Sequence, residues 1–446
     1  MASLTYRQLL TGNRSFRNLW AGQVVSELGN WFNFIAGLGL VRAVTNASPE
    51  ATAILVILRM MPFAIFAPLA GAFVDRWPRR AVMLVSDAAR AVLALGFILV
   101  RDAEDLWLAY TCTVLSTLLA AFFEAARNAA LPNVVGDRGL LAGNALMFSS
   151  RFLLMSVGSA LGGTATFWLG YEIAFVVNAL SFVVSAYSVW LVPEKDLRAR
   201  TDSAAEDGTE ARAKGGRLRV FADVRDGWVF IARRPLVAAI IGINILWATG
   251  GAHNLIYDRL GVIFSQGEGW NSDAAVSAIY ATVGAGLFIG MMLAHRVGSK
   301  VEVRGATPAF IGWTLIAHGI FFALAGLMPT LWAACLMILL SRVVVGVEFA
   351  VQETLLMRLL PDDYRGRVST TDRAAEIMMV SIATAAAGRL LDAGASARAL
   401  TVASGLLSAT PGVMWLLLFA AGKLSMPARR ETEDEDAERA ALASAG

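Results

Sequence analysis

The sequence predicts an all-α polytopic membrane protein whose twelve transmembrane helices form two pseudo-symmetric six-helix bundles. Three observations lead to this prediction. Hydrophobic residues make up 57% of the 446 residues and charged residues only 16%, whereas a soluble domain carries about 25% charged residues. The apolar residues are gathered into runs of about 20 residues or more, the length that crosses a bilayer. These runs fall into two sets of six, separated by a polar stretch.

Each apolar run is counted as one span, numbered in chain order. Gly and Pro within the runs are compatible with helix, because membrane helices tolerate both. The runs are too long and too uniformly apolar for barrel strands. Residues 1–17 are polar and lead directly into the first run, so no cleavable signal peptide is expected. The predicted spans are residues 18–42, 51–74, 81–100, 105–126, 142–168, 171–192, 236–260, 274–294, 306–327, 331–357, 369–389 and 399–421.

The distribution of basic residues predicts that both termini are cytoplasmic. Most of the 38 Lys and Arg residues lie in the terminal segments and in the loops after even-numbered spans, and cytoplasmic loops are the ones enriched in basic residues. We therefore expect a multi-pass protein of the cytoplasmic (inner) membrane. The same bias explains the net charge of +3, so no nucleic-acid partner is expected. The basic residues on the other side are Arg42, Arg101, Arg259, Arg389 and Arg398.

Polar segments predict the domain boundaries. The N-terminal bundle is residues 1–192, the cytoplasmic linker 193–235, the C-terminal bundle 236–425, and an acidic disordered tail 426–446. Within the linker, four apolar residues share one helical face. They indicate either an amphipathic helix on the inner leaflet or a helical extension of span 7. These residues are Val220, Val224, Trp228 and Ile231.

The two halves repeat one another. Spans 4 and 10 each end on a Leu-Pro pair, at Pro132 and Pro361, an offset of 229 residues. Parallel repeats of six helices are typical of carriers that work by alternating access, with the binding site between the halves.

The loop between spans 2 and 3 contains a glycine, an aspartate and a basic cluster. The glycine permits close helix packing, and the aspartate can accept hydrogen bonds from a helix N-terminus or pair with an arginine. The basic residues can hold anionic headgroups or acidic partners. We interpret the loop as part of a cytoplasmic gate, and a plain positively charged loop is the alternative. The residues are Gly71, Asp75, Arg76, Arg79 and Arg80.

This loop resembles the signature Gly-x-x-x-Asp-Arg-x-x-Arg-Arg of the major facilitator superfamily. The finer resemblance is to the bacterial exporter branch that contains enterobactin exporters and macrolide-efflux pumps. It implies a twelve-helix secondary transporter and extends to about residue 421. One departure concerns span 5, where drug–proton antiporters often carry Gly-Pro-x-x-Gly-Gly and this chain has Ser159 in place of the proline. The other matching stretches begin at Phe16, Arg59, Ser86, Asn144, Asn178 and Pro361.

Ionisable side chains inside the spans are candidates for the mechanism, because inserting one costs about 2.5–3.5 kcal/mol. Glu27, about ten residues into span 1, is the proton-coupling candidate. The alternative is a permanent ion pair with Arg59 or Arg151. Arg342 either holds an anionic or carbonyl-bearing substrate or neutralises Glu348. The full set of substrate-cavity candidates is Asn30, Trp31, Phe34, Arg59, Arg151, Asn244, Trp247, Asn254, Arg342 and Glu348.

Further charged residues are assigned to gates. Asp372 and Glu376, at the inner end of span 11, are expected to face the Asp75 cluster. Asp87 and Arg90 are three residues apart on one helix and are expected to pair. At the outer end of span 7, residues 257–259 are either an outer gate or an interfacial cluster.

The sequence therefore predicts a monomeric, non-enzymatic secondary transporter that exports amphipathic small molecules, such as drugs, siderophores or secondary metabolites, by proton antiport. Its partners would be the substrate, protons and membrane lipids. Import, or lysophospholipid flipping, on the same fold is the alternative. No cofactor or metal is expected: the two cysteines and three histidines are scattered, and no phosphate-binding Gly-rich loop is present. A receptor would need a larger soluble output module.

Overall fold

The structure, a computed structural model, describes residues 4–74, 76–197, 225 and 227–426. All regular secondary structure in these ranges is helical. Twelve of the helices are long and apolar enough to cross a membrane. The predicted fold class is confirmed.

The spans begin and end close to the predicted positions. The short helix Tyr6–Gly12 precedes span 1, a 3₁₀ turn at Phe97–Leu99 extends span 3, and the short helices Ala103–Asp105 and Glu194–Leu197 flank spans 4 and 6. Spans 1 to 6 are Arg14–Val44, Pro49–Val74, Arg79–Gly96, the two parts of Leu106–Leu169, and Tyr171–Trp190. Spans 7 to 12 are Pro235–Ala248 with His253–Glu268, Ser272–Val303, Thr307–Leu327, Leu331–Leu359, Asp362–Asp392, and Ala397–Ala420.

Polar residues mark the first turn of several spans. The side chain of Asn13 accepts a hydrogen bond from the backbone of Phe16 before span 1, and Thr330 accepts one from Ala333 before span 10. Each cap satisfies one of the backbone N–H groups that have no partner within the helix. The local sequence thus sets where these helices begin.

Spans 4 and 5 are joined far more tightly than predicted. Helical structure continues past residue 126, through Pro132, and departs from helical geometry at Gly136, where φ is +65°. This φ lies in the left-handed region, which glycine adopts without steric cost. The predicted span bounds, 105–126 and 142–168, are therefore too short: most of the residues between them extend the two helices beyond the apolar stretch.

Span 7 is broken, although the sequence predicts one helix over 236–260. The helix stops at Ala248 and resumes at His253. A Cβ atom built on Gly250 would overlap the backbone oxygen of Ser404 in span 12, so the break lets the two backbones approach closely. Discontinuous helices at the centre of a bundle are a recurring feature of secondary transporters.

The two halves meet along two helix pairs. Span 8 lies along span 5, and span 11 lies along span 2. Since the number of spans is even, both ends of the chain lie on one side, which also carries the loops after even-numbered spans. We call it the basic side, and the opposite side the far side.

The halves are joined on the far side and separate on the basic side. One buried apolar cluster combines residues of both halves, such as Leu38 and Val56 with Leu260 and Ile279, and lies toward the far side. The clusters near the basic side each belong to one half: one contains Phe16 and the other contains Trp415. The structure is therefore closed on the far side.

The described part of the linker is helical and is not continuous with span 7. Helical residues end at 232, and a turn separates them from Pro235. Ile231 is buried against the C-terminal half, in the same cluster as Leu356 and Val368, and Trp228 is exposed. A direct extension of span 7 is therefore wrong. Val220 and Val224 lie outside the described residues.

Candidate functional site

A cavity of about 1080 Å³ lies between the two halves. It extends from the far-side apolar cluster to the ends of spans 4, 10 and 11 on the basic side, where its lining includes Glu124, Gln352 and Arg373. Both apolar and charged side chains line it. Glu27 and all ten predicted cavity residues line it: Asn30, Trp31, Phe34, Arg59, Arg151, Asn244, Trp247, Asn254, Arg342 and Glu348.

Glu27 lies in a network of charged and polar groups on the N-terminal half. Nε of Arg151 is 3.8 Å from Glu27, and Nη2 of Arg151 donates to Glu124 at 2.8 Å. Asn30 donates to Glu27 at 3.4 Å and accepts from Arg90 at 3.2 Å. Glu27 is therefore paired with Arg151, one of the two partners considered for it, and shares that arginine with Glu124.

Arg59 packs against aromatic rings. Its Cζ atom is 4.3 Å from the Phe34 centroid and 5.6 Å from the Trp31 centroid. Phe34 in turn contacts Tyr280 of span 8 edge-to-face at 5.4 Å. Cations over aromatic faces are attracted by the ring quadrupole, and this contact holds the guanidinium at the cavity wall. Because Tyr280 belongs to the other half, the Arg59 site joins both bundles.

The expected pair between Arg342 and Glu348 is wrong for this structure. Neither side chain forms an ion pair within the described residues, although they are only 5% and 3% exposed. Six residues of helix place them about 240° apart around span 10 and about 9 Å apart along it. Arg342 instead lies over the rings of Tyr257 and Phe322, at 5.7 and 5.5 Å.

A hydrogen-bonded chain joins three spans of the C-terminal half. Gln352 in span 10 donates to Asn244 in span 7 at 2.7 Å, and Asn244 donates to Asp372 in span 11 at 2.9 Å. Asn254 lies closer to the far side, with its amide 3.8 Å from the sulfur of Met60. The two asparagines predicted for the cavity therefore have different roles: one cross-links helices, and the other has only a weak acceptor.

The predicted gate residues divide into two groups. Arg90, Asp372 and Glu376 line the cavity, and Glu376 pairs with Arg373 of its own helix at 2.7 Å. The expected Asp87–Arg90 contact is present at 3.6 Å. Three of the remaining residues lie near the end of span 2 or the start of span 3, outside the cavity lining: Gly71, Arg79 and Arg80.

The loop residues brace the N-terminal half. Arg79 donates to the backbone oxygen of Ala129 in span 4 at 2.9 Å, and Arg80 donates to that of Trp190 in span 6 at 2.5 Å. The close packing expected at Gly71 is wrong, because a Cβ atom there would meet nothing within 4 Å among the described residues. Arg76 lies on an exposed turn. Asp75 lies outside the described residues.

A buried ionic cluster on the far side was largely missed by sequence reasoning. Arg42 of span 1 pairs with Asp258 of span 7 and Asp273 of span 8. Asp258 also pairs with Arg259 at 2.7 Å, and Tyr171 donates to Asp273 at 3.1 Å. The cluster joins the halves, which favours the outer-gate interpretation of span 7. The sequence identifies Arg42 only as an outer-side charge, because its partners are more than 200 residues away.

Two histidines that are distant in sequence come together in the C-terminal half. His253 of span 7 and His318 of span 9 have ring centroids 5.8 Å apart. Both pack against Phe322 and Trp247. Nδ1 of His318 is hydrogen-bonded to Ser341 at 2.7 Å. Together with Trp247 and Phe322 they form an aromatic wall, and the Phe322 ring also contacts Arg342.

Comparisons with known sequences agree with this architecture. A sequence profile described as Major Facilitator Superfamily matches residues 19–371. The chain is 23% identical to an uncharacterized MFS-type transporter, YfiS of Bacillus subtilis, over 52% of each chain, so the match spans about half of that relative. It is 23% identical to the lysophospholipid transporter LplT of Photorhabdus laumondii over 66% of this chain and 68% of that one. BacE of Bacillus amyloliquefaciens, for which bacilysin export is a hypothesis, is 28% identical over 30% of this chain and 33% of BacE.

Solved structures share the fold. A bacterial homologue of the lysosomal transporter Spinster, in an inward-facing and unoccupied conformation, superposes with a TM-score of 0.69 at 14% identity, covering 96% of this chain and all of the other. The nucleoside transporter NupG also superposes with a TM-score of 0.69, at 12% identity, covering 91% of this chain and 99% of NupG. At these identities the likeness concerns the fold alone.

Proposed function

Because the chain belongs to the major facilitator superfamily, we propose that it is a secondary active transporter that exports amphipathic small molecules by alternating access. The observation that carries this proposal is the cavity between the two halves, closed on the far side by residues of both bundles. If the basic side is cytoplasmic, as the positive-inside rule predicts, this is the state in which an exporter loads its substrate.

The cavity lining favours an amphipathic substrate. Aromatic and thioether side chains such as Phe34, Met60 and Phe152 alternate with charged groups such as Arg59 and Glu27. Ligand pockets of mixed character bury an apolar body and orient it through a few polar contacts. Drugs, siderophores and secondary metabolites have this character. The bacterial exporter branch that the sequence resembles fits such a cargo.

Proton antiport is the coupling mode that we propose. Glu27 is a carboxyl group on the cavity wall, and within the described residues its one ion-pair partner is Arg151, which it shares with Glu124. A proton arriving at Glu27 would release Arg151 from one of its two partners, and a proton leaving would restore the pair. Substrate binding and proton binding would then compete for the same charged network. We further propose that the chain acts as a monomer in the inner membrane.

The decisive experiment measures retention of siderophores, macrolides, tetracyclines and dyes in a host that lacks its own exporters. We expect at least one compound to accumulate less when the chain is expressed. Ala120, which lines the cavity, provides a blocking variant: Ala120→Trp should abolish the effect. Ala160→Trp, on an exposed face of span 5, is the matched control and should not. If the retention of every compound is unchanged while the chain is normally expressed at the cell surface, the export proposal is contradicted.

Lysophospholipid flipping is the second candidate, favoured by a specific observation. A smaller cavity of about 470 Å³ is lined by residues of spans 5, 8, 10 and 11, and it shares Phe148, Met291, Phe349 and Glu353 with the central cavity. Such a cavity could admit a lipid chain from the side. Fluorescent lysophospholipid movement in proteoliposomes decides between the two candidates, and uptake into inverted vesicles gives the direction of flux.

A further inference from the structure

Arg342 has hydrogen-bond donors without partners among the described residues, toward the end of the cavity that is closed on the far side. Its side chain is almost entirely buried, yet its Nε and Nη2 atoms have no hydrogen-bond partner among the described residues. Burying a charged group without hydrogen bonds is costly, and buried charges are normally paired. Arg342 is also one of the residues that line the central cavity. A partner for it can therefore come from a bound molecule.

Among the described residues, no carboxylate forms an ion pair with Arg342. The rings of Tyr257 and Phe322 lie beneath the guanidinium, and His253 and His318 lie behind those rings. None of these groups is anionic at neutral pH. Of the two acidic residues on the same helix, Glu348 lies on another face of the span, and Glu353 lies eleven residues away along it, about 16 Å.

A second unpartnered donor belongs to the same aromatic wall. Nε1 of Trp247 is buried without a hydrogen-bond partner in the described part of the chain, and the residue lines the cavity. Its ring lies 5.5 Å from His253 and 5.9 Å from His318. An indole nitrogen only donates hydrogen bonds. Arg342 and Trp247 are thus two cavity-lining residues, each with a buried donor that has no partner among the described residues.

We propose that Arg342 and Trp247 form an anion-binding subsite that holds a carboxylate or phosphate group of the transported molecule. The planar guanidinium suits either group, since it can donate two parallel hydrogen bonds. The apolar body would then lie along Trp31, Phe34 and Met60 on the opposite half. This inference rests on the proposed transport function and narrows it to substrates that carry an anionic group.

Three probes with the same apolar body test the subsite: 4-phenylbutyrate, 4-phenylbutyl phosphate and 4-phenylbutylamine. Their binding to the purified full-length chain at pH 7 is measured by titration calorimetry. We expect the anionic probes to bind more tightly than the amine. Arg342→Gln should weaken anion binding by about tenfold to a hundredfold, the range for a hydrogen bond to a charged group, and leave the amine unaffected. The preferred anion distinguishes a carboxylate cargo from a phosphate cargo.

Further variants keep the test valid if Arg342→Gln does not fold. Arg342→Lys keeps the charge and should retain part of the affinity, whereas Trp247→Phe keeps the ring, loses the N–H, and should weaken both anions severalfold. Arg304→Gln removes an exposed charge outside the cavity and should change nothing. The proposal is overturned if the amine is preferred, if neither anion binds, or if Arg342→Gln binds the anions as the wild type does.

The transport measurement separates the two proposals. If the chain binds the anions through Arg342 but exports no compound, the anion-binding subsite is supported and the exporter proposal is rejected. If export is equally strong with and without Arg342, the exporter proposal is supported and the subsite is rejected.

Discussion

Arg42, at the far-side end of span 1, forms a buried ion pair with Asp258 of span 7 and so ties the two halves of the chain together. Asp258 is 0% exposed and also pairs with Arg259. Separating the halves on this side would expose the pair to water or leave two charges unpaired. The cluster therefore stabilises the far-closed state, and alternating access requires that it break.

Weakening this ion pair should favour the far-open state. In Asp258→Asn, Arg42 keeps only Asp273 and loses one of its two carboxylates. A cysteine placed at Leu38, which is fully buried in the far-side cluster, should then react faster with an impermeant maleimide added from the far side. Removing one partner of a buried pair costs about 3–5 kcal/mol, enough to change labelling by more than tenfold.

The matched control for this variant is Arg389→Gln. Arg389 also pairs across the halves, with Glu50 at 3.9 Å, but its side chain is 80% exposed. Exposed pairs contribute about 0–1 kcal/mol, so the labelling rate should stay close to that of the wild type. Equal rates in Asp258→Asn and the wild type would show that the buried cluster does not hold the far side shut.

Glu27 and Glu348 can be distinguished by proton coupling. Glu27 is paired with Arg151, whereas Glu348 has no ion-pair partner among the described residues and its Oε1 atom has no hydrogen bond. We expect Glu27→Gln to abolish substrate-driven proton movement in proteoliposomes, because a glutamine amide cannot take up the proton and has no charge to pair with Arg151. Glu348→Gln is the comparison. If coupling is lost in Glu348→Gln and kept in Glu27→Gln, the proton carrier lies on span 10.

The contact between spans 5 and 8 should not tolerate a side chain at Gly284. A Cβ atom built there would overlap the backbone nitrogen of Ser156, so Gly284→Leu must push the two halves apart. Overpacking of this kind costs about 1–3 kcal/mol, which thermal unfolding in detergent would detect as a lower midpoint. Gly242→Leu is the control, since a Cβ atom at Gly242 has nothing within 4 Å. Equal midpoints would contradict the close approach.

A variant of Arg79 can show whether the loop between spans 2 and 3 stabilises the N-terminal half or holds the two halves together. Arg79 donates to the backbone of Ala129, within its own half. We expect Arg79→Ala to lower the free energy of unfolding by about 1.5–3 kcal/mol, the range for hydrogen bonds to charged groups, without altering maleimide labelling at position 38. Arg7→Ala, on an exposed turn of the first helix, is the control. A large change in labelling with unchanged stability would instead support a latch between the halves.

Much of the fold could be predicted from the sequence because the bilayer leaves few alternatives. An apolar run of sufficient length must form a helix, since its backbone has no water to bond with. The run at residues 171–192, for example, is the helix Tyr171–Trp190 in the structure. Helix ends were harder to predict, as at Gly136, because helices continue beyond the apolar stretch into polar sequence.

The candidate cavity was predictable for a related reason. Polar groups within apolar spans are costly, so Glu27, Asn30, Arg59 and Arg342 stood out against their surroundings, and all of them line the cavity between the halves. Which of these groups pair was not predictable. Arg151 pairs with both Glu27 and Glu124, whereas Arg342 and Glu348 on one helix do not pair.

By itself, the sequence determined the number of spans, the two-fold repeat and the polar residues that face inward, because hydropathy and charge act locally along the chain. Only the tertiary structure decided which charges meet. Arg42 lies 216 residues from Asp258, and nothing in either segment indicates the other. The close approach of span 7 to span 12 at Gly250 likewise joins segments that are far apart in the chain. Pairings across the halves are set by how the helices pack, and packing is a property of the whole bundle.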